Sequence, residues 1–232
     1  MDENLHSLDN YLQSDLFDGI APEKLGDIFS RGHCRLLGSG ESLFHEGEPA
    51  LKCYFVMKGC LKLVKLHEQG KEAIVRYINS GELTAAISVF QGKDYPVTAI
   101  AVGEVEVIGW GKDTMLKLML EYAPLAINIL RFSLERIDEL QTRYLELCAE
   151  SVDQRLARAL LRIMRKSSHK TRTGVQIDFR LSRKDLADYT GTTLYTVSRT
   201  LSIWEKKGWI KSGREQIVIT NLYALVKFAE AG

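Results

Sequence analysis

The hydrophobic period of this chain changes near residue 111, and the change restricts the fold more than any other feature. Between residues 33 and 110, short runs rich in β-branched and aromatic residues alternate with glycine-containing turns, as in CYFVMKG at 53–59 and EAIVRYI at 72–78. Many short strands at this spacing indicate a β-sandwich or barrel. Beyond residue 111 the apolar residues follow a helical period. The sequence therefore predicts a β part followed by a helical part.

One helical segment carries an apolar seam. Pro124 stands near its start, and from residue 127 onward the seam positions are spaced alternately three and four residues apart, for about three heptads. The seam consists of Ile127, Leu130, Leu134, Ile137, Gln141, Tyr144 and Cys148. Charged residues occupy the flanking positions, a pattern typical of a helix that pairs with a copy of itself. Simple packing of this helix on the β part is the alternative.

Residues 181–210 contain two short helical patterns separated by a turn at Gly191. Ser182 caps the first helix, and Thr192 or Thr193 caps the second. Two short helices joined by a glycine-containing turn form a helix-turn-helix motif, whose second helix enters the major groove of DNA. A helical hairpin used only for packing is the alternative.

The second of these helices exposes residues suited to DNA contact. Arg199 can donate two hydrogen bonds to guanine O6 and N7, and Leu194 suits contact with a thymine methyl group. After Gly208, the segment WIKSGREQIVIT predicts a hairpin wing with Arg214 near its tip. The remaining candidates are Thr193, Tyr195 and Ser198 on the exposed face of the helix, and Ser182, Thr196 and Lys206 for phosphate contact.

The formal net charge of +1 hides an uneven distribution. Residues 1–150 contain 15 Lys and Arg against 23 Asp and Glu, a net charge of −8. Residues 151–232 contain 16 against 7, a net charge of +9. Such asymmetry indicates nucleic-acid or membrane contact on the basic side, although two domains of different isoelectric point would also produce it.

Several classes of protein are disfavoured. No apolar run approaches the roughly 18 residues that a membrane span needs, and the start MDENLHSLDN lacks the apolar core of a secretory signal. The four cysteines form no C-x-x-C pair, which fits a reducing compartment. We therefore expect a cytoplasmic protein without membrane contact. We also expect no enzymatic activity, because no phosphate loop, G-x-S-x-G or H-E-x-x-H motif is present.

The order of a β-rich part, a seam helix and a winged helix-turn-helix resembles the CRP/FNR family of bacterial transcription regulators. Residues 42–83 resemble the family's cyclic-nucleotide-binding β-roll, and GTTLYTVSRTLSIWEKKGWI resembles its recognition helix. The resemblance implies an α+β fold with three parts. These are a β-roll (jelly roll) sensor domain at 1–124, a dimerisation helix at 125–150 and a winged helix-turn-helix DNA-binding domain at 151–232.

The resemblance also implies a mechanism and partners. An effector bound between the β-roll and the dimer helix of a homodimer would shift the orientation of the two DNA-binding domains on a palindromic operator. The segment Lys166–Gly174, which is polar and predicted to be a loop, matches the region where activators of this family contact RNA polymerase. The alternative function is a cyclic-nucleotide-binding regulatory subunit that acts on a protein partner, and such a subunit has no use for a winged helix.

The chain departs from the pattern of the family's cyclic-AMP-binding members. Their phosphate-binding Arg-Ser pair reads Tyr95-Pro96 here, and their glutamate position reads Ala86. The Thr-Ser pair that meets the base reads Leu140-Gln141. Without the arginine, a nucleotide phosphate lacks its counter-charge, so we do not expect cyclic AMP as the effector. The expected effector pocket consists of Ala85, Ala86, Tyr95, Pro96, Thr98, Leu140, Gln141 and Tyr144.

Other cofactors follow from the same resemblance. The cysteine spacing does not match the cluster-binding pattern of FNR, so an iron–sulfur cluster is not expected. The stretch QGKDYPVTA resembles the denitrification and nitrosative-stress regulators, which use haem to sense nitric oxide, and haem binding is therefore a hypothesis. The available histidines are His6, His33, His45, His67 and His169. Tyr195 replaces a glutamate that accepts a bond from cytosine in relatives, whereas Ser198 and Arg199 match the FNR pattern.

Overall fold

A computed structural model describes residues 14–66 and 70–231 of the chain. These residues pack into two compact units. The first unit comprises the described residues within Met1–Lys65 and Ile78–Glu139, and the second comprises those within Leu66–Tyr77 and Leu140–Gly232. The division falls within one long helix, so each unit holds one part of it.

The first unit contains most of two four-stranded sheets. The strands are β1 (His33–Leu37), β2 (Ser42–Phe44), β3 (Lys52–Lys58), β4 (Cys60–Leu66), β5 (Glu72–Asn79), β6 (Leu83–Thr84), β7 (Thr98–Ala101) and β8 (Val105–Gly111). One sheet has the strand order β1-β8-β3-β6, and the other has the order β2-β7-β4-β5. The helices are α1 (Pro22–Ser30), α2 (Ala86–Gln91), α3 (Lys112–Glu121) and α4 (Ala123–Ala149). The predicted β-roll and the long helix after it are confirmed.

The core of the first unit explains why its strands carry large apolar residues. Phe55 on β3 and Trp110 on β8 are both fully buried, and the Trp110 indole donates a hydrogen bond to the Ile28 carbonyl of α1 at 2.9 Å. The turn from β3 to β4 requires Gly59, whose φ is +88°. A Cβ atom at this position would lie 2.4 Å from the Glu104 carbonyl oxygen, so only glycine fits.

The long helix α4 has one buried face and one exposed face in its first half. Asn128 is buried, and its side-chain amide donates to the carbonyls of Leu16 and Asp18, at 2.9 Å each. The seam lies on the other side. Its residues Ile127, Leu130, Leu134, Ile137 and Tyr144 are between 50% and 67% exposed in the single chain. Gln141 and Cys148 are also exposed. The seam therefore does not pack on the β part, and self-pairing through it stays a prediction.

The second unit contains four helices after α4 and one small sheet within its described residues. These elements are α5 (Val152–Lys166), β9 (Ser168–Thr171), β10 (Gly174–Ile177), α6 (Arg183–Thr190), α7 (Leu194–Lys206), β11 (Ile210–Gly213), β12 (Gln216–Ile219) and α8 (Leu222–Glu230). The prediction that Lys166–Gly174 is a loop is wrong, because β9 pairs with β10 in a hairpin. β9 is an edge strand, and its polar SHKT sequence needs no apolar face there.

The first part of β5 packs within the second unit. The Arg143 guanidinium donates to the carbonyls of Val75 and Tyr189 and stacks on the Tyr189 ring, 4.3 Å from its centroid. The rings of Tyr77 and Phe179 are 4.8 Å apart. The second unit thus groups these β5 residues and the last part of α4 with the C-terminal elements, while the domain boundaries 1–124, 125–150 and 151–232 stay a prediction.

Candidate nucleic-acid interface

The helices α6 and α7 form the predicted helix-turn-helix. Ser182 and Asp185 form a capping box at the start of α6, and Gly191 ends this helix with a φ of +66°. Thr193, rather than Thr192, caps α7, and its hydroxyl accepts a hydrogen bond from the Thr196 amide at 3.2 Å. The capping positions follow from the sequence because each places a short hydroxyl next to unpaired helix N–H groups.

The two faces of α7 differ sharply in burial. Val197, Leu201 and Trp204 are buried, whereas Tyr195 and Arg199 are exposed. Thr193 and Leu194 are exposed as well, and Thr196 and Ser198 are partly exposed. Within the described part of the chain, Arg199 makes no hydrogen bond or ion pair, so its guanidinium fork is available to an external acceptor.

Buried and partly buried polar contacts fix the orientation of α7. The Thr200 hydroxyl donates to an Asp153 carboxylate oxygen of α5 at 2.6 Å. The Glu205 carboxylate accepts hydrogen bonds from the amide and the hydroxyl of Ser212 on β11, at 2.7 and 2.8 Å. The Arg183 guanidinium donates to the same hydroxyl at 3.0 Å. These bonds link α6, α7 and the wing and hold the exposed residues of α7 in place. No motif in the sequence marks this link.

Exposed basic residues lie on α7 and on the wing that follows it. Lys206 and Arg214 are exposed, and Arg214 lies at the tip of the β11–β12 wing, as predicted. Arg214 also lines a polar cleft of about 580 Å³ together with Arg180, which the sequence does not single out. Ser182 is different. Its hydroxyl donates to Asp185 at 2.5 Å and accepts from the Asp185 amide, so the cap uses the donor that a phosphate contact would need.

A cavity of about 230 Å³ lies within the first unit. Four of the predicted pocket residues line it, namely Ala85, Ala86, Tyr95 and Pro96. The other four do not. The Thr98 hydroxyl instead accepts a hydrogen bond from the Glu46 amide at 3.0 Å, and Leu140, Gln141 and Tyr144 belong to the second unit. The residues of α4 that do line the cavity are Ile129, Phe132, Ser133 and Arg136.

Tyr95 fills the position that a phosphate-binding arginine would occupy in the family pattern. Its ring stacks on Phe44 with the centroids 4.0 Å apart. Its hydroxyl donates to the Lys52 carbonyl at 2.8 Å and accepts from the Lys52 amide at 3.2 Å. Burial raises the pKa of Tyr95, so the phenol stays neutral.

Two family models match the chain, one in its N-terminal part and one in its C-terminal part. A cyclic nucleotide-binding domain matches residues 34–122, and a Crp-like helix-turn-helix domain matches residues 154–228. The cyclic AMP receptor protein of Thermus thermophilus is 26% identical over 216 residues, which cover 93% of this chain and 97% of that protein. The chain belongs to the CRP/FNR family of transcription regulators.

Further relatives of this CRP/FNR regulator support the same assignment. The global nitrogen regulator of Synechococcus elongatus is 27% identical over 188 residues, covering 80% of this chain and 85% of that protein. The structure of FixK2 from Bradyrhizobium japonicum has the same fold, with a TM-score of 0.75 and 24% identity over 87% of this chain and 98% of that one.

The family assignment confirms a DNA-binding transcription regulator with an effector-binding domain. The matched helix-turn-helix domain favours this function over a regulatory subunit that acts on a protein partner. CRP/FNR regulators bind DNA and act as dimers. Among the residues that the structure describes, no helix is both long and apolar enough to cross a membrane.

Haem does not fit the cavity. The described lining residues include no histidine, cysteine or methionine, and the one remaining axial-ligand type, Tyr95, has its hydroxyl bonded to both backbone groups of Lys52. His33, His45 and His169 lie elsewhere, and His6 and His67 lie outside the described residues. The volume is also below the 300 to 1,000 Å³ or so of typical ligand pockets.

An iron–sulfur cluster finds no assembled ligand set either. In the described ranges no group of three or more His, Cys, Asp or Glu residues is placed to hold a metal ion. Burial raises the pKa of Cys53 to about 12 and raises that of Cys60 as well, which disfavours the thiolates that such a cluster requires.

Proposed function

We propose that this regulator binds a palindromic operator as a homodimer, with one α7 helix in each half-site and a ligand in the cavity as its signal. The observation that carries the proposal is the unpaired, exposed Arg199 on the solvent face of a rigidly anchored recognition helix. An exposed arginine without an internal partner can donate two hydrogen bonds to guanine O6 and N7, which is the commonest base-specific contact in the major groove. The seam of α4 supplies the self-pairing that two half-sites, one helical turn apart, require.

The signal acts through α4, because this helix lines the cavity and continues along the chain into the second unit. The exposed β9–β10 hairpin is the proposed contact for RNA polymerase, and the cytoplasm is the proposed compartment. The function that we propose includes no catalytic role.

The test begins with selection of bound duplexes from a random DNA library by the full-length protein. Affinity for the selected operator and for random DNA is then measured at several salt concentrations for the wild type, Arg199→Ala and Lys206→Ala. We expect Arg199→Ala to lose about 1–3 kcal/mol per half-site on the operator, on the order of 25-fold or more for the dimer, with little change on random DNA.

Lys206→Ala is the matched control for a phosphate contact. It should weaken binding to both DNAs equally and reduce the slope of log K against log salt concentration by about one per half-site, or about two for the dimer. If Arg199→Ala binds the operator as tightly as the wild type, Arg199 does not read a base.

A further inference from the structure

We propose that β5 makes an autoinhibitory contact, in which the Glu72 carboxylate occupies Lys184, a cation of the helix-turn-helix that would otherwise bind a DNA phosphate. Both residues of this contact belong to the second unit. The inference rests on the proposed function only in that the second unit binds DNA, and it does not depend on the base that Arg199 reads.

Lys184 lies in the part of the helix-turn-helix that approaches the DNA backbone. It is the second residue of α6, the first helix of the motif, and its side chain is 66% exposed. In helix-turn-helix proteins the first helix crosses the phosphate backbone while the second enters the major groove. An exposed ammonium in the first turn of α6 therefore suits a phosphate contact, which contributes affinity without reading sequence.

A carboxylate of β5 already pairs with this ammonium. The Lys184 Nζ lies 3.4 Å from Glu72 Oε2. Asp188, one turn further along α6, lies 4.0 Å from the same nitrogen, and it is present whether or not β5 is in place. A DNA phosphate that approaches Lys184 is repelled by Glu72 and must displace it. Because solvent and salt screen this exposed pair, the contact should lower DNA affinity without abolishing it.

Packing on α6 holds the first part of β5 in place independently of the ion pair. The buried ring of Tyr77 lies 5.6 Å from the ring of Tyr189 on α6. The Arg143 guanidinium of α4 donates to the carbonyls of Val75 and Tyr189, and so joins β5 to the same helix. An exposed ion pair alone must restrict two long side chains to form. Here the backbone that carries Glu72 is already fixed beside α6, which reduces that cost.

This contact makes DNA binding depend on the position of β5. The strand continues from Tyr77 into Ile78 and Asn79, which belong to the first unit. A change in the first unit that draws β5 away from α6 would remove Glu72 from Lys184 and free the ammonium for a phosphate. Such a change would raise the affinity for DNA of any sequence, because phosphate contacts carry no sequence information.

The experiment is a double-mutant cycle on the full-length protein. Fluorescence anisotropy gives Kd for a duplex of random sequence, at several salt concentrations, for the wild type, Glu72→Gln, Lys184→Gln and the double variant. Glu230→Gln is the matched control, because Glu230 is an exposed carboxylate of the same unit at the end of α8. Circular dichroism checks that each variant is folded.

We expect Glu72→Gln to tighten binding to random DNA by about two- to fivefold for each copy of the chain bound. It should also steepen the slope of log K against log salt concentration, because the freed Lys184 neutralises a phosphate. The same substitution should have little effect when Lys184→Gln is already present, and Glu230→Gln should match the wild type.

An equal gain from Glu72→Gln with and without Lys184→Gln would show general charge repulsion in place of a contact, and would overturn the proposal. The absence of any gain in the wild-type background would overturn it as well. Random DNA is the probe, whereas the role of Arg199 is measured on the selected operator. A failure of the autoinhibitory contact is therefore distinct from a failure of base recognition.

Discussion

The recognition helix and the cavity are built in opposite ways. The candidate base-contacting residues lie within residues 193–199 and mostly on one helix, α7. The walls of the cavity come from β2, β4, β6, α2 and α4, so that Phe44 and Arg136 face the same space across more than ninety positions of the chain. A substitution in a site built from one helix should therefore change one contact and leave the others in place. A site assembled from distant segments should respond to anything that moves α4 or β6.

The largest expected effect tests whether one recognition helix is enough for operator binding or whether the second copy in a dimer is needed. Leu134→Asp places a charge in the exposed seam, and we expect the protein to become monomeric. Operator affinity should fall by about 100-fold or more, because one α7 would no longer benefit from the second. Analytical ultracentrifugation and fluorescence anisotropy measure the two effects.

The control for this prediction is Leu36→Asp, at a leucine on β1 that lies outside the seam and is even more exposed than Leu134. It should remain dimeric and bind the operator normally. A dimeric, fully active Leu134→Asp protein would show that pairing does not use the seam.

The second prediction concerns a buried ion pair that stabilises the second unit, which contains the recognition helix α7. Glu146 on α4 is buried and accepts hydrogen bonds from the Arg162 guanidinium at 2.6 and 2.8 Å. Burial alone would lower the pKa of Arg162, but the hydrogen bonds and charge of Glu146 outweigh it, and the pKa is raised. Glu146→Gln should reduce the free energy of unfolding by about 3 kcal/mol, because it leaves a largely buried cation without its anion.

Glu150→Gln provides the matched comparison, since Glu150 pairs with Arg158 in a more exposed setting. It should cost about 1 kcal/mol or less. Urea unfolding followed by the fluorescence of Trp204 and Trp209, both in the second unit, measures the difference. Equal losses in the two variants would contradict the larger contribution expected of the buried Glu146–Arg162 pair.

The smallest effect concerns the cavity. Ala85 has a φ of +65°, a left-handed conformation that is unfavourable for a residue with a Cβ atom. Ala85→Gly should stabilise the protein by about 0.5–1 kcal/mol, whereas Ala86→Gly, at the first residue of α2, should destabilise it by up to about 1 kcal/mol. Urea unfolding measures both, and operator affinity should not change in either. Shifts of the same sign would contradict this backbone account.

The difference between the two regions also decides what the sequence could predict. The turn at Gly191 and the exposure of Arg199 follow from local patterns, and so does a cap at Thr192 or Thr193, which the structure places at Thr193. In the cavity, the lining residues Ala85, Ala86, Tyr95 and Pro96 can be predicted from the sequence because they lie in one short stretch of the chain.

The residues that α4 contributes to the cavity cannot be predicted from the sequence in the same way. A heptad pattern states which face of a helix is apolar, but the position along the axis at which a helix meets a sheet depends on tertiary packing. Arg136, which lines the cavity, is therefore not marked by the heptad pattern, and a contribution of Leu140, Gln141 and Tyr144, which belong to the second unit, stays a prediction. The edge strand β9 escapes prediction for a related reason, since a strand without a buried face has no apolar alternation.

Methylation interference on the selected operator tests most directly the claim that Arg199 reads a guanine. Guanine N7 is methylated at random, and the DNAs that still bind the wild type or Arg199→Ala are separated and compared. We predict that methylation of one guanine in each half-site prevents binding by the wild type, since it blocks the acceptor that Arg199 needs. The same methylation should have no effect on the residual binding of Arg199→Ala. An identical interference pattern in both proteins would contradict the account.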